Sequence, residues 1–432
     1  MDFSQYELPS NWKIQPLNEV CQFTKKPRGL KLQENIPFFP MEVIPQDGIY
    51  AQTSIYKKSN KLGSGTFVNR GDVVVAKITP SFENGKQAII DITEPHAYAT
   101  TEVIPFTEID GVSHKFFLFY VLKHPRIRAY LAGQMEGSTG RQRLSKDVLG
   151  KYSFPVPSLK EQKIIAGVLS LVQNAIAQQE KAIALTTELK KALMQKLFTE
   201  GTRNEPQKQT EIGLIPESWE ISKLEQVAES FQYGTSVKCD YEIEGKPVLR
   251  IPNVVGGYIN TCDLKYGKPK KNEIDTHKLI NGDLLFVRTN GTKANSGRCS
   301  LYRGELGNDC YFASYLIRVR VDRDKLFPAF LDQYSRTAIG TSFLSGQAIR
   351  TADGKFNINT GTLKRMIVPK PDTEQQVEIA NVASYLNDKA NNFLLLKEKY
   401  NELFQTLLHQ LMTAKIRVSE LNLDSLNINL EE

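Results

Sequence analysis

The sequence has few of the features that mark membrane, secreted or metal-binding proteins. No apolar run approaches the roughly 20 residues that a membrane-spanning helix needs, and the segment Met1 to Ser4 does not begin a signal peptide. The five cysteines are scattered and include no C-x-x-C pair, which favours a reducing compartment and argues against structural zinc. We therefore expect a cytoplasmic protein.

The usual signatures of covalent chemistry are also missing. The sequence has no G-x-x-x-x-G-K-[ST] phosphate loop, no dinucleotide-binding glycine fingerprint and no [DNS]-P-P-[YF] tetrapeptide of the kind found in amino-methyltransferases. Its five histidines show no metal-ligand spacing. One fragment, Asp240 followed by Glu244-Gly245-Lys246, has the composition of a magnesium nuclease site, although such tripeptides are common by chance. We expect no catalytic residue, no metal and no cofactor in this chain.

The sequence does contain a long internal repeat. The segment Pro155-Val156-Pro157 with Gln162 and Ile165 recurs 214 positions later as Pro369-Lys370-Pro371 with Gln376 and Ile379. Near the start of each half, Pro9 and Trp12 recur as Pro216 and Trp219, and Gly71-Asp72 recurs as Gly282-Asp283. A chain with two similar halves is suited to a ligand that also has two similar halves.

Periodicity within each half predicts an α+β fold: a mixed α/β domain followed by one long helix. Buried strand patterns such as 72–78 and 283–287 alternate with short apolar helices such as 114–123 and 328–337. The predicted boundaries are a first domain at 1–157, a helix at 158–201, a linker at 202–213, a second domain at 214–371, a helix at 372–415 and a tail at 416–432. The linker is polar and unpatterned, and the tail has no assigned role.

Each long helix has one apolar seam at steps of three and four residues, as in a coiled coil. A helix of about 40 residues cannot bury such a seam alone, so we expect the two helices to pair antiparallel as a coiled-coil-like spacer of about 60 Å. The predicted spacer and partner-binding residues are Ile165, Leu169, Val172, Ile176, Leu189, Leu193 and Leu197 in the first helix, and Ile379, Leu386, Phe393, Tyr400, Leu403, Leu407 and Leu411 in the second.

Polar loops at matching places in the two halves are the best candidates for binding. The net charge of +7 permits a nucleic-acid ligand without requiring one. Side chains that read base edges or hold phosphates follow both core strands and fill both glycine-rich loops, although either could be an ordinary solvated turn. The predicted DNA-binding residues are Lys25, Lys26, Arg28, Lys77, Thr79, Ser81, Asn84, Lys86, Arg141 and Arg143 in the first half, and Arg250, Asn253, Lys270, Lys271, Arg288, Thr289, Asn290, Lys293, Arg298, Arg350 and Lys355 in the second.

With these residues in place, the whole chain resembles the specificity subunits of type I restriction–modification systems. The resemblance rests on Pro155 to Gln162 and Pro369 to Gln376, each opening a long helix, and on Leu8-Pro9 before Trp12 and Ile215-Pro216 before Trp219. It implies a non-catalytic subunit with two target recognition domains, each reading one half of a split DNA target. It also implies two methyltransferase subunits, which hold S-adenosylmethionine, docked on the helices, and a motor-nuclease subunit that joins for cleavage. Alternatives from other classes are a protein scaffold that ignores DNA and an endonuclease that uses Asp240 and Glu244.

Overall fold

The computed structural model describes residues 3, 5–30, 33–53, 55–62, 64–138 and 140–420. Within these residues the chain divides into two compact units. The first unit contains the described residues up to 182 together with those from 393 onward, and the second contains residues 183–392. The predicted fold class, mixed α/β domains combined with two long helices in an internal repeat, is confirmed.

The first unit is built on a sheet whose central strand is apolar on both faces. Val73–Ala76 is fully buried, and its β-branched residues suit an extended strand that is covered on each side. Gly71 precedes it with a φ of +84°, which a residue with a Cβ adopts only with strain, so glycine makes the turn into the strand. The order of strands in this sheet is Cys21–Phe23, Val103–Glu108, Val73–Ala76, Gln87–Ile90 and Tyr50–Ala51.

A second sheet and several short elements complete the first unit. The sheet orders the strands Tyr56–Lys58, Asn35–Phe39, His96–Ala99 and Thr66–Asn69, of which Asn35–Phe39 and His96–Ala99 run parallel. The strand pairs are Lys13–Pro16 with Ser153–Val156 and Glu136–Ser138 with Arg141–Arg143. The helices are Leu17–Val20, Lys115–Lys123, Pro125–Ala132 and Lys146–Lys151, with short 3₁₀ turns at Met41–Val43, Ser59–Lys61 and Val418–Glu420.

The second unit repeats this plan. Its main sheet orders Ala228–Tyr233, Leu316–Val321, Leu284–Val287 and Cys299–Leu301, and a smaller sheet orders Lys265–Gly267, Lys246–Leu249 and Tyr311–Phe312. A third orders Thr289–Asn290, Phe356–Asn357 and Ile349–Arg350, and the strand pairs are Glu220–Lys223 with Ile367–Lys370 and Gln207–Thr210 with Gly213–Pro216. The helices are Ile251–Val254, Pro328–Ser335, Ala338–Gly346 and Thr360–Lys364, with 3₁₀ turns at Leu224–Gln226 and Lys293–Asn295.

The long helices span Leu159–Glu200 and Thr373–Met412. Each begins after a proline at a side-chain cap: Ser158 Oγ accepts from Glu161 N at 3.4 Å, and Asp372 Oδ1 accepts from Gln375 N at 3.0 Å. The first ends at Gly201, which has a φ of +66°. These caps and this stop agree with the sequence pattern.

Each unit contains part of both long helices, and within each unit the two parts run antiparallel. In the first unit Glu180 pairs with Lys397 at 2.8 Å, and Glu161 lies 3.9 Å from Arg417. In the second unit Lys190 donates to Asn387 at 2.8 Å, and Thr202 Oγ1 lies 3.4 Å from Gln375. The helix segments therefore belong to the globular cores rather than standing apart from them.

The predicted seam is partly wrong. Ile165, Leu169, Ile176, Ile379, Leu386 and Leu411 are buried, and Val172, Leu193, Leu197, Phe393, Tyr400 and Leu407 are half-buried. Leu189 and Leu403, however, are 55% and 43% exposed. The row next to the predicted one, with Phe198, Phe404 and Leu408, is buried instead. Each helix packs against both its neighbour helix and a globular domain. Its buried face therefore differs from the face that two helices pairing alone would bury.

The linker at 202–213 is also more ordered than its composition indicates. Gln207–Thr210 pairs antiparallel with Gly213–Pro216, so the segment forms a hairpin. Its pairing comes from backbone hydrogen bonds and from Thr210 Oγ1, which donates to the carbonyl of Gly213 at 2.8 Å. A strand held mainly by its backbone leaves no apolar alternation for a sequence pattern to reveal. Of the predicted tail, Val418 is buried, and residues 421–432 lie outside the described part of the chain.

None of the helices among the described residues is both long and apolar enough to cross a lipid bilayer.

Candidate nucleic-acid interface

In the first unit the backbone joins two loops that are far apart in sequence. The core strand Val73–Ala76 continues into Lys77, whose N–H donates to the carbonyl of Glu102 at 2.9 Å. On its other side, Leu144 N donates to the carbonyl of Lys77 at 2.7 Å, and Thr79 N donates to the carbonyl of Gln142 at 3.1 Å. The loop after the core strand and the glycine-rich hairpin therefore form one continuous surface.

The second unit forms the same surface with the same hydrogen bonds. Arg288 N donates to the carbonyl of Tyr315 at 2.8 Å, and Ile358 N donates to the carbonyl of Arg288 at 2.9 Å. Asn290 pairs with Phe356 across the adjacent strands, as Thr79 does with Gln142 in the first unit. We call this surface the platform: residues 77–79, 102 and 141–143 in the first unit, and 288–290, 315 and 355–357 in the second.

Each platform is anchored below by a capped short helix. Ser145 Oγ accepts from Val148 N at 3.1 Å in the first unit, and Asn359 Oδ1 accepts from Thr362 N at 2.8 Å in the second. Caps of this kind satisfy backbone donors at the start of a helix and so fix the direction in which the chain enters it. The hairpin that precedes each cap is thereby held against the core.

The platform of the first unit carries a fixed ion pair. Arg143 donates to both carboxylate oxygens of Glu102, at 3.0 and 3.1 Å. The hydrogen bond from Arg143, together with the charges of Arg143 and Lys77, lowers the pKa of Glu102 below its usual value. Arg141, on the same hairpin, is exposed. The surface thus combines cations with one carboxylate that stays ionised at neutral pH.

The platform of the second unit combines a held arginine with apolar groups. Arg288 lies over the Tyr233 ring at 4.7 Å and donates to the carbonyl of Ser314 at 3.3 Å. Its buried Nε has no acceptor within the described residues. Tyr315 is 57% exposed, and Ile349, on strand Ile349–Arg350 of the same unit, is 68% exposed. Exposed side chains of this size on a polar surface are typical of contact sites.

Polar groups of the second platform are partly bound to one another. Thr289 Oγ1 donates to Asn357 Oδ1 at 3.2 Å, and Asn290 Oδ1 accepts from Thr292 N at 2.9 Å. Lys355 pairs with Asp353 at 2.9 Å at the exposed tip of the hairpin, next to the exposed Arg350. The Lys355–Asp353 pair is solvent-exposed, so a DNA phosphate can replace its carboxylate at small cost.

Some predicted DNA-binding residues instead hold the fold together. Asn253 is only 1% exposed, and its amide donates to the carbonyls of Asn260 and Asp263 at 2.9 and 2.8 Å, so a role in base contact is wrong for this residue. Its neighbour Arg250 pairs with the carboxylate of Asp263 at 3.1 Å. A side chain buried with both donors satisfied has nothing left to offer a ligand.

Two further predicted residues make internal bonds beside the platforms. Lys86 Nζ donates to the carbonyl of Met41 at 2.7 Å and thus closes the loop that contains Ser81 and the exposed Asn84. Arg298 is exposed, and its guanidinium donates to the carbonyl of Val255 at 3.2 Å. For DNA contact, the secondary candidates are therefore Ser81, Asn84, Lys86 and Arg298.

The basic patches are exposed but stand outside the platforms as defined. They contain Lys25, Lys26 and Arg28 in the first unit and Lys270 and Lys271 in the second, and Lys293, of the loop after the core strand, is exposed as well. Lys26 lies 5.8 Å from the centre of the Tyr98 ring, which gives its long side chain a preferred position. Lys31, which belongs to the same sequence patch as Lys25, lies outside the described residues.

The platforms also contain residues that the sequence interpretation missed: Glu102, Gln142, Tyr315 and Asn357. Glu102 and Tyr315 each lie one residue before a strand of the main sheet, Val103–Glu108 or Leu316–Val321. This position is the sequence feature that indicates a surface role, since a residue at the end of a buried strand emerges at the edge of the sheet. No local pattern, however, distinguishes an acidic or aromatic residue at this position from an ordinary surface residue.

The nuclease-like fragment is not assembled as a metal site. Glu244 is exposed, and Lys246 pairs with Asp309 rather than with either carboxylate of the fragment. Asp240 Oδ1 accepts from the backbone N–H of Tyr241 at 2.8 Å. Across the described residues, no group of three or more His, Cys, Asp or Glu side chains is placed to hold a metal ion.

Comparison with known proteins shows what the chain is similar to. The family model described as type I restriction modification DNA specificity domain matches residues 9–186. The specificity subunit of the type I restriction enzyme MjaVIII from Methanocaldococcus jannaschii is 25% identical over 436 residues, which cover 96% of this chain and 95% of that protein. Over nearly its whole length the chain is thus similar to type I restriction–modification specificity subunits.

Other specificity subunits align over nearly the same length. The EcoKI specificity subunit of Escherichia coli is 23% identical over 440 residues, covering 93% of this chain and 88% of that protein. Among solved structures, the type I restriction–modification S subunit from M. genitalium has a TM-score of 0.58 at 14% identity, covering 94% of this chain and 97% of that one. This structural likeness supports the fold, and the sequence relatives support the family.

Proposed function

We propose that this specificity subunit recognises a split DNA target, with each unit reading one half. The observation that carries this proposal is the duplicated platform, which has the same backbone hydrogen bonds in both units and different side chains on top. A repeated frame with changed side chains is what two different half-sites require. Side chains of the platforms supply the contacts, including Lys77, Thr79, Arg141 and Arg143 in the first unit and Arg288, Asn290 and Lys355 in the second, together with Arg350 on the adjoining strand Ile349–Arg350.

The long helices set the spacing between the half-sites. Each helix is continuous from one unit into the other, and a helix of 42 residues is about 63 Å long at about 1.5 Å per residue. Because a helix does not stretch, the number of its residues fixes how far apart its ends lie. The gap in the DNA target follows from that length.

The same helices provide docking positions for two methyltransferase subunits. Apolar residues at matched positions of the repeat stay exposed: Leu171 and Tyr385 form one matched pair, and Leu189 and Leu403 form the other. The first unit holds Leu171 and Leu403, and the second holds Tyr385 and Leu189. Each unit therefore exposes one residue from each matched pair. Two units with matching exposed residues favour two equivalent docking sites, and so two copies of one partner.

The chain itself carries out no reaction. Methylation is the work of the docked methyltransferase subunits, which hold S-adenosylmethionine, and adenine has to leave the DNA stack to reach them. A motor-nuclease subunit joins the complex for cleavage. The specificity subunit therefore contributes target choice and spacing rather than reacting groups.

Adenine methylation mapped across the genome tests the proposed function. Cells that carry this gene with its methyltransferase subunits should methylate a two-part motif, one adenine in each half, and cells lacking the gene should lose it. A motif without a gap, or methylation that persists without the gene, contradicts the proposal.

Partner docking is tested separately by native mass spectrometry of the purified complex. Leu189→Gln and Leu403→Gln should each reduce the bound methyltransferase from two copies to one, and the double variant should bind none. Gln195→Ala, at an exposed polar position of the same helix, is the matched control and should keep two copies. Full occupancy in the double variant would contradict this docking surface.

A further inference from the structure

Glu102 and Tyr315 occupy the same position in the two platforms. Each carbonyl accepts from the residue that follows the central strand: from Lys77 N at 2.9 Å for Glu102, and from Arg288 N at 2.8 Å for Tyr315. The strands that follow pair in the same register, with Val103 opposite Ala76 and Leu316 opposite Val287. The backbone is thus equivalent, and only the side chain differs.

The carboxylate of Glu102 is an unusual group to find on a surface that faces DNA. It would repel phosphates, and it is held in place on both oxygens by Arg143, whose side chain is itself mostly accessible. A carboxylate is useful against DNA where it can accept a hydrogen bond from an exocyclic amino group of a base, cytosine above all. The positive charges of its neighbours Arg143 and Lys77 offset the repulsion between the carboxylate and the DNA phosphates.

The second unit replaces acidic groups by apolar ones at two matched positions. Tyr315 stands in place of Glu102. Ile349 stands in place of Glu136, since Ile349 pairs with Asn357 as Glu136 pairs with Arg143. Tyr315 and Ile349 are both well exposed, and neither offers a base amino group the charged acceptor that a carboxylate provides. Apolar side chains on a reading surface suit the methyl group of thymine.

We infer that Glu102 and Tyr315 are specificity-determining residues that make the two half-sites different. Glu102 accepts a hydrogen bond from the exocyclic amino group of a base in the half-site of the first unit. Tyr315 contacts a thymine methyl group in the half-site of the second unit. This inference rests on the proposed function, because it assigns bases within a target that the proposed function requires.

Methylation mapping of variants in the same cells tests the inference. Glu102→Gln keeps the size of the side chain but adds an amide donor, so one base position in one half-site should lose its preference by about tenfold, with the other half-site unchanged. Tyr315→Ala should relax one position in the opposite half-site. Glu108→Gln, at the other end of the same strand, and Tyr258→Ala, at a 63% exposed tyrosine of the second unit outside the platform, are matched controls and should leave the motif unchanged.

A conservative variant separates loss of the carboxylate from loss of the fold. Glu102→Asp keeps the negative charge and is expected to methylate the wild-type motif. The inference is overturned if Glu102→Gln keeps the full wild-type preference, or if Glu102→Asp and Glu102→Gln alter methylation alike. A wild-type protein that selects no split motif would instead refute the proposed function, so the two failures are distinguishable.

Discussion

Gln162 and Gln376 occupy equivalent positions and make the same three hydrogen bonds in the two units. Each lies in the first turn of a long helix, and each amide donates to two backbone carbonyls: of Pro157 and Val112 for Gln162, and of Pro371 and Lys325 for Gln376. Gln162 Oε1 accepts from His114 N at 3.0 Å, and Gln376 Oε1 accepts from Phe327 N at 2.6 Å. Both side chains are buried. The glutamine thus joins the start of the helix to the loop that leads into the core helices.

Replacing either glutamine by leucine should destabilise only its own unit. The substitution keeps most of the volume but leaves one buried carbonyl, of Pro157 or Pro371, and two partly buried backbone groups without partners, at a cost on the order of 2–4 kcal/mol. Hydrogen exchange measured by mass spectrometry on peptides from each unit checks this. Gln178→Leu, at an exposed position of the same helix, should change stability by less than about 0.5 kcal/mol. Equal loss of protection in both units after one substitution would contradict the prediction.

His124 should make the first unit less stable in acid. Its ring is buried, with Nε2 at 3.3 Å from Nδ1 of His409, and Arg126 and Arg128 lie nearby. Burial first, and these neighbouring charges second, lower the pKa of His124 to about 4. The unfolded chain then binds more protons than the folded one below pH 6.5. The stabilisation is complete above pH 6.5 and is lost as the pH falls towards 4, by on the order of 3 kcal/mol.

The measurement is denaturant unfolding of the first unit between pH 4 and pH 7.5. His124→Gln should flatten the acid side of the stability curve, because a glutamine does not titrate. His96→Gln, on strand His96–Ala99 of the same unit, serves as the control and should keep the slope. Identical slopes for wild type and His124→Gln would show that another group causes the acid sensitivity.

The buried carboxylate of Asp283 makes Arg320 important for stability. Arg320 donates to both oxygens of Asp283 at 2.7 and 2.8 Å, and the Asp283 side chain is fully buried. Arg320→Leu leaves that charge without a cation and should cost about 3–5 kcal/mol in the second unit, measured by urea unfolding. Lys325→Leu breaks an exposed pair with Asp322 and should cost less than about 1 kcal/mol. If the two substitutions lowered stability by similar amounts, burial of Asp283 would not be the reason why Arg320 is important.

In the first unit the matching aspartate, Asp72, has a different side-chain partner. Asp72 accepts from Asn69 N at 2.7 Å, as Asp283 accepts from Ile280 N at 2.9 Å, so both close the turn before the central strand. In place of an arginine, Asp72 has the hydroxyl of Thr24 at 2.8 Å. Burial, the larger effect, raises the pKa of Asp72 to about 6. The repeat therefore conserves the turn but not the way in which its charge is balanced.

Lengthening both long helices should widen the gap in the DNA target. Four residues inserted after Thr186 and four after the matched Tyr400 add about 6 Å to each helix, and also rotate its ends relative to each other. The gap in the methylated motif should then grow by one or two base pairs, at about 3.4 Å each. Inserting the four residues in one helix only is the control, and it should abolish methylation because the antiparallel pairing loses its register. An unchanged gap in the double insertion would show that the helices do not set the spacing.

The repeat, the long helices and the strand–loop–hairpin order were all predictable from sequence because they depend on local patterns. Helix caps such as Ser158 and Asp372 and the core strands show up as short-range signals, and a repeat reveals itself by comparison of the chain with itself. The exposure of Leu189 and Leu403 was not predictable in this way. Which row of a helix is buried depends on everything that packs against it, and here a globular domain competes with the second helix.

The sequence by itself determined the duplication and the element order of each unit, because side-chain periodicity and capping act over a few residues. Only the tertiary structure decided the composition of the platforms. It placed Glu102 beside Arg143, 41 positions apart, and gave Tyr315 the position of Glu102. It also showed that Asn253, a predicted DNA contact, is buried and stabilises the fold. Such assignments depend on backbone pairing between distant strands, and no local pattern records which strands will meet.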